Sequence, residues 1–367
     1  MLTIEYVSLR LYPTRVTKQF QSAETGVIQA LCQLKIPHNI PQKGSISYTE
    51  LAKKINLDED RLKHLVRNAI VCSGYLQETS NGEVAHSPTS AIWYLDPLMA
   101  GGMEVMLDHL PESSFNLGQV CTKDTTDTNE ALCGFSNARG KPLYQFLEHN
   151  PAEGKKFGGY MRAQASAHGD QAIKDGYDWT KLKGKTIVDC GGSFGSVCAA
   201  IVQSEPSIKC IVQDLPKVVE NANDVVSKNP KFPKDKITFE AHSFFEPQPT
   251  TADVYLFRQV FLNHSDTRAR QIFTGLKDVL RPGAKVIVIE YVMPEIGTAP
   301  IYADMAHRRL DNTMYALMKG KVRELSEFKR VANEAIPELK FTSFKQGQYR
   351  ATHDPRCHCV MEWTYEP

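Results

Sequence analysis

The run Ile187-Val188-Asp189-Cys190-Gly191-Gly192-Ser193-Phe194-Gly195 is an apolar stretch that ends in an acid and a glycine-rich turn. A strand hands a nucleotide to a helix in this way. Glycines let backbone N–H groups approach a ligand without a Cβ between them, and Ser196-Val197-Cys198-Ala199-Ala200-Ile201-Val202 can continue as the helix. A second apolar run, Cys210-Ile211-Val212-Gln213, ends in Asp214, whose carboxylate can accept both hydroxyls of a ribose. The chemistry these residues suit is the holding of a nucleoside-containing cofactor.

Around that pair, the strand-like runs Thr186 to Asp189, Cys210 to Gln213, Ile237 to Ala241, Val254 to Phe257 and Lys285 to Glu290 alternate with helical stretches. The alternation predicts an α/β doubly wound domain with a mostly parallel sheet covered on both faces. The N-terminal part, from about residue 15 to 100, reads as helices with short turns. Tyr48-Thr49-Glu50-Leu51-Ala52 opens a capped helix, Asp58 to Ile70 makes another, and Gly74-Tyr75-Leu76 starts a small hairpin. That order predicts a winged helix-turn-helix. Lys53, Lys54, Arg61, Lys63 and Arg67 lie in it, but Glu50, Asp58, Glu59 and Asp60 offset much of their charge, so a scaffold or dimerisation role is favoured over DNA binding. Residues 100 to 155 read as a helical linker with a polar loop at Thr122 to Asn129. A boundary near Pro151 divides an N-terminal domain, 1–150, from a catalytic domain, 151–367.

The 367 residues carry 43 basic and 42 acidic side chains, a formal charge of +1, which offers no electrostatic footprint for nucleic acid or anionic lipid. The expected partners are a small molecule and a second copy of the chain. Nine cysteines, an odd number scattered through apolar segments, fit reduced thiols in the cytoplasm better than a disulfide framework. Cys357-His358-Cys359 with His353 lacks the usual zinc spacing, so no metal is expected, and the residues read as strand. No basic n-region followed by an apolar h-region opens the chain, and no run reaches the roughly 20 apolar residues of a membrane span, so neither export nor insertion is expected.

Five blocks together resemble the plant and fungal small-molecule O-methyltransferases, which use S-adenosylmethionine and join a winged-helix dimerisation domain to a Rossmann-like domain. The blocks are Val188-Asp189-Cys190-Gly191-Gly192, Val212-Gln213-Asp214-Leu215-Pro216, Phe244-Phe245-Glu246-Pro247, Ala252-Asp253-Val254-Tyr255-Leu256-Phe257-Arg258 and Leu280-Arg281-Pro282-Gly283-Ala284. The resemblance covers nearly the whole chain. It implies that Asp189, Gly191, Gly192 and Gly195 serve the methionine side of the cofactor and that Asp214 serves the ribose, with Phe244 and Arg258 beside them. It also implies an Asp that meets the adenine amino group, but Ser243 stands in that place. The shorter neutral acceptor gives up a charge-assisted hydrogen bond of about 1.5–3 kcal/mol.

The family's catalytic stretch departs further. Beyond Arg258 the chain reads Val260-Phe261-Leu262-Asn263-His264-Ser265-Asp266, so Leu262 occupies the place of the family's general base, a His. Leucine takes no proton from a hydroxyl, and a positioned base supplies roughly 10²–10⁴-fold in rate. His264 replaces a Trp of the family rather than the base, and two positions along a helix turn a side chain through roughly 200°. Of the two carboxylates that steady the base in the family, one remains as Glu290, while the other has become Val322.

Three functions compete on these residues. The first is an enzyme of methyltransferase fold, similar to the fungal pericyclases, that does not transfer methyl but carries out a dehydration or a pericyclic cyclisation of Diels–Alder or Alder-ene type on a polyketide or pyridone. Such a reaction needs a shaped apolar cavity and one or two donors. Donor candidates are Arg308 and Arg309 beside His307 and Asp311, then Lys319 and His168, each with a competing reading as a surface charge or a helix-end cap. Phe157, Met161, Leu262, Met314 and Met318 are candidates for the pocket wall, although Met and Phe at helical spacing also make plain core. The second function is an O-methyltransferase acting on a substrate that ionises readily, a carboxylic acid or acidic enol. The third is a non-catalytic binding protein.

Overall fold

The computed structural model describes residues 21–126, 128–167, 169–347 and 357–367. The chain divides into two compact units, each built from two segments. One joins Met1–Glu112 to Tyr144–Gln164, and the other joins Ser113–Leu143 to Ala165–Pro367.

In the first unit, helix α1 (Tyr48–Ile55) is capped by Ser47, whose hydroxyl accepts the Glu50 N–H at 3.2 Å. Asp58 caps α2 (Glu59–Ser73) in the same way through the Arg61 N–H at 3.0 Å, so the acid expected to open this helix stands just outside it. α2 stops at Gly74, which takes the left-handed backbone conformation that ends helices without a Cβ clash. An antiparallel hairpin of β1 (Leu76–Glu78) and β2 (Val84–His86) follows. The apolar faces of these elements close over one core that includes Leu51, Leu62, Val66, Tyr75, Val84 and Trp93. α3 (Pro97–Phe115) and α4 (Pro151–Ala167) are the long helices downstream.

The second unit is built on a seven-stranded sheet: β3 (Thr186–Cys190), β4 (Lys209–Asp214), β5 (Ile237–Ala241), β6 (Val254–Arg258), β7 (Lys285–Tyr291), β8 (Leu339–Gln346) and β9 (His358–Tyr365). Their spatial order is β5-β4-β3-β6-β7-β9-β8. The first five are parallel, and β9 lies antiparallel between β7 and β8. Both faces of the sheet are covered. Val188, Tyr255 and Val286 enter one core with Phe261 and Trp363, while their neighbours Ile187, Leu256 and Ile287 enter the other with Ile201 and Val212. A strand whose successive residues go to opposite buried faces must be apolar throughout, which is why these strands read as continuous runs in the sequence. Each such side chain contributes about 1.5–3 kcal/mol by its burial.

The β8–β9 pair was not legible as a hairpin. β8 is exposed along most of its length, and only its partner β9 shows a buried run. His358 and Cys359 do belong to a strand, with Cys357 just before it, whereas His353 falls outside the described residues. Among the described residues no group of His, Cys, Asp and Glu is arranged to hold a metal ion. No described helix is long and apolar enough to cross a membrane.

Strand order reverses between β3 and β6, and in an open parallel sheet the crevice at the carboxyl ends of such strands is where ligands bind. Asp189 lies opposite Leu256 in the β3–β6 register, so Arg258 stands two residues further along at that crevice.

Candidate functional site: a cofactor cradle beside an apolar cluster

The glycine turn leaves β3 and enters α5 (Ser196–Ser204) with Gly191, Ser193 and Gly195 all at positive φ. At Gly192 a Cβ would stand 2.5 Å from Asp189 Oδ2, which no side chain can tolerate. Asp189 is therefore beneath the turn. It is 1% exposed, burial pushes its carboxyl up to about 7, and it accepts the Cys198 thiol at 3.4 Å. Its place is one of support for the loop.

Asp214, at the end of β4, accepts the Ser193 N–H at 2.9 Å through one oxygen and the Leu215 N–H at 2.8 Å through the other. A carboxylate has about four lone-pair sites, so one on each oxygen remains for a vicinal diol. Burial raises its pKa against those two N–H groups.

Ser243 turns its hydroxyl toward the Phe245 N–H, 3.4 Å away. The Phe244 ring lies against the turn, 3.3 Å from where a Cβ on Gly191 would stand. Arg258 closes β6. Its Nε is buried without a hydrogen-bond partner among the described residues, and burial lowers its pKa against the charges of Tyr291, Asp189 and Glu290. A buried guanidinium with an unspent donor calls for an acceptor from outside the chain. The next residue, Gln259, holds a left-handed backbone at φ 54, a strained conformation of the kind that collects at functional sites.

Beyond Arg258 the chain forms a 3-10 turn, Phe261–Asn263, where the sequence reading had supposed an α-helical step. His264 lies just past that turn, with an extended backbone at φ −135 and ψ 146. The His264 ring packs edge-on to Phe245 at 5.0 Å and Phe244 at 5.8 Å, and burial, then Arg268 and Arg323, drive its pKa down to about 3. It is a neutral aromatic-core histidine, far too weak a base for an ordinary hydroxyl.

Leu262 and Val322, respectively 6% and 3% exposed, fall in one small apolar cluster with Tyr291 and Met293, against which Leu310 and Met314 pack. The clamp that brings them together is backbone. Lys321 N–H donates to the Leu262 carbonyl at 2.9 Å, and a Cβ on Gly320 would stand 2.2 Å from that same oxygen, so only glycine permits the approach. Glu290 lies at the edge of the cluster, 1% exposed, with one oxygen accepting the Leu262 N–H at 3.3 Å and the other the Tyr291 N–H at 3.0 Å. Burial pushes it up to about 7, opposed by those N–H groups and by Arg323 and Arg258.

The remaining candidates lie mostly on α6 (Ile301–Met318). Arg308 pairs with Asp304 at 2.9 Å and donates to the Pro294 carbonyl at 3.2 Å, while Arg309 is exposed on the opposite face. His307 is buried and bonded to the Ala303 carbonyl at 2.8 Å. Asp311 accepts the Val322 N–H at 2.8 Å and is raised in pKa by burial, which places a carboxylate next to the apolar cluster. Met314 packs on that cluster and Met318, half-buried, ends the helix. Lys319 is 5% exposed and is held by the Asn129 carbonyl at 2.7 Å and Asp124 at 3.5 Å, so its ammonium ties down the 124–129 loop. Phe157 and Met161 lie on α4 of the first unit, Phe157 packed edge-on to Tyr144 and Met161 43% exposed. His168 lies outside the described residues. Sequence reasoning missed Gly320, Gln259 and Asp304. A glycine just after a helix was a visible signal for the first, and the other two had none.

A model of the O-methyltransferase domain matches residues 118–336. The chain belongs to the O-methyltransferase family. Over 333 residues it is 32% identical to the 6-hydroxytryprostatin B O-methyltransferase of Aspergillus fumigatus, covering 88% of this chain and 94% of that protein. It is 31% identical over 326 residues to the O-methyltransferase gsfB of Penicillium aethiopicum, covering 87% and 76%. Among solved structures, the mitomycin 7-O-methyltransferase MmcR superposes with a TM-score of 0.79 at 21% identity over 99% of both chains. LepI in complex with S-adenosylmethionine gives 0.76 at 17% identity over 99% of this chain and 92% of that one. At these identities the structural likeness is one of fold. The family's cofactor is S-adenosylmethionine, and the cradle of this O-methyltransferase-family chain fits it: glycines where a Cβ would collide, free lone pairs on Asp214 and an unspent buried donor on Arg258.

Proposed function

We propose that this chain is an enzyme of fungal secondary metabolism that binds S-adenosylmethionine and does not transfer its methyl group, converting a polyketide or pyridone by dehydration or pericyclic cyclisation. The observation that carries the reading is the apolar cluster at Leu262 and Val322, which fills the family's proton-abstracting site with side chains that cannot hold a proton. When bound, the cofactor supplies a fixed sulfonium charge. The chain's own residues supply the rest. Leu262, Met314 and Val322 offer an apolar wall against which a flexible polyene can be held in a reactive conformer. Asp311 places a carboxylate beside that wall, and Glu290, which burial pushes up to about 7, can hold or release one proton at its edge.

A second reading is favoured by the sequence relatives, which are named as O-methyltransferases: methylation of a carboxylic acid or acidic enol that arrives already ionised. The deciding experiment is incubation of the purified protein with methyl-labelled S-adenosylmethionine and a panel of phenols, acids and pyridone-type polyenes, read by mass spectrometry. An isomerised or dehydrated product without label is the expected result, and label in any product overturns it. The first unit, with its helix pair and hairpin, is proposed as a winged-helix homodimerisation region of a cytoplasmic protein. Exposed apolar side chains such as Val71 and Leu95 on that unit are surfaces a second copy would cover. A monomer in sedimentation equilibrium would remove that part of the reading.

A further inference from the structure

His242 follows β5 directly, and nothing assigned so far uses it. Its backbone N–H donates to the Asp214 carbonyl at 2.9 Å, which fixes the residue beside the carboxylate that has lone pairs free for a ribose. In a doubly wound sheet with the ribose at the end of one strand, the attached base extends toward the end of the next strand outward, here β5. Ring Nε2 of His242 is buried and has no hydrogen-bond partner among the described residues. The Glu246 backbone lies close enough to the ring to raise its pKa against burial. A neutral imidazole that carries its proton on Nδ1 presents a lone pair at Nε2. Burial holds the ring below the ordinary histidine pKa, against the charges of Glu246 and Glu240, and so keeps it neutral at neutral pH. Ser243, the neighbouring alternative, already accepts the Phe245 N–H at 3.4 Å through one of its two lone pairs.

We infer that His242 Nε2 is the acceptor for the exocyclic amino group of the cofactor's adenine, the job for which the chain lacks a carboxylate at Ser243. A buried orphan lone pair costs free energy until a donor meets it, and the 6-amino group of adenine is a donor of the right polarity. This assignment concerns cofactor recognition and is independent of which reaction follows, so a binding measurement tests it without turnover.

The experiment is calorimetric titration of the whole protein with S-adenosylhomocysteine and with its inosine counterpart, in which a 6-oxo group replaces the 6-amino group. The native chain should prefer the adenine ligand by about tenfold, since the oxo group turns a second acceptor toward Nε2. His242→Ala should bring that ratio close to one while leaving affinity for the inosine ligand nearly unchanged, and adding Ser243→Asp to it should restore the preference. Should the alanine variant fail to fold, as circular dichroism would reveal, His242→Phe fills the volume without an acceptor and gives the same reading. A His242→Ala variant that keeps its full preference overturns the assignment. So does a preference erased by Ser243→Ala and untouched by His242→Ala.

Discussion

The carboxyl ends of β3 and β4 and the carboxyl ends of β6 and β7 belong to one sheet, yet they hold opposite kinds of surface. At the first pair, polar groups remain underused: the two carboxylate oxygens of Asp214 have lone pairs to spare. At the second pair, apart from the unpartnered Nε of Arg258 at the end of β6, the polar groups are satisfied internally or replaced by carbon: Leu262 with Val322, Glu290 bonded to two N–H groups, Lys319 held by Asn129 and Asp124. The difference teaches that ligand holding and proton removal are separable in this fold. On the proposed function, a cradle built from backbone and glycine is kept while neighbouring side chains serve a reaction that needs shape instead of a base.

The strongest way to break the contrast is to rebuild the lost base. Leu262→His with Val322→Glu puts an imidazole at a position already clamped by Lys321 N–H and adjacent to Glu290, and a latent methyltransferase should then gain roughly 10²–10⁴-fold in methyl transfer to a phenol. No gain in label transfer would mean that the pocket no longer seats a hydroxyl near the cofactor. On the other side of the contrast, Asp214→Ala removes the ribose acceptor, and S-adenosylhomocysteine affinity measured by calorimetry should fall by about 10- to 150-fold, the equivalent of about 1.5–3 kcal/mol.

Gly320→Ala tests the clamp itself. Its Cβ would collide with the Leu262 carbonyl, and the expected loss is about 1–3 kcal/mol in chemical denaturation, with cofactor affinity nearly unchanged because the cradle is elsewhere. A comparable effect is expected on the pH dependence of stability. Glu290 has its folded pKa raised to about 7 from 4.5, so the folded state binds this proton more tightly than the unfolded state does. Its contribution to stability is present below about pH 4.5, declines as pH rises through that window, and is gone above 7. Replacement by Gln should flatten the melting profile between about pH 4.5 and 7, by up to about 3 kcal/mol. Unchanged slope would mean that Asp189, raised by burial in the same direction, carries the dependence.

Much of this was readable along the chain because it is encoded locally. Strands buried on both faces announce themselves as apolar runs, Ser47 and Asp58 mark helix starts, and a Gly-Gly turn after Asp189 needs only its own glycines to form. The apolar residues at Leu262 and Val322, where the family resemblance implies a base and an acid, were equally a matter of single positions. By contrast, Arg309 and Arg308 read alike as neighbours in a basic run, and only helix phase separated the exposed one from the one paired with Asp304. Lys319 looked like a donor until the fold brought Asn129, 190 positions away, and Asp124 to it.

The sequence by itself determined the α/β class, the glycine turn of the nucleotide cradle and the apolar residue types at 262 and 322, since each rests on residue type or on spacing within a turn or strand. Tertiary structure alone decided that residues 262, 310, 314 and 322 meet as one apolar cluster, that His264 packs its ring on two phenylalanines, and that His242 keeps its Nε2 buried and unpartnered. The physical reason is range. Hydrogen bonds of caps and turns form between near neighbours in the chain, whereas desolvation and packing depend on which distant segments close over a side chain.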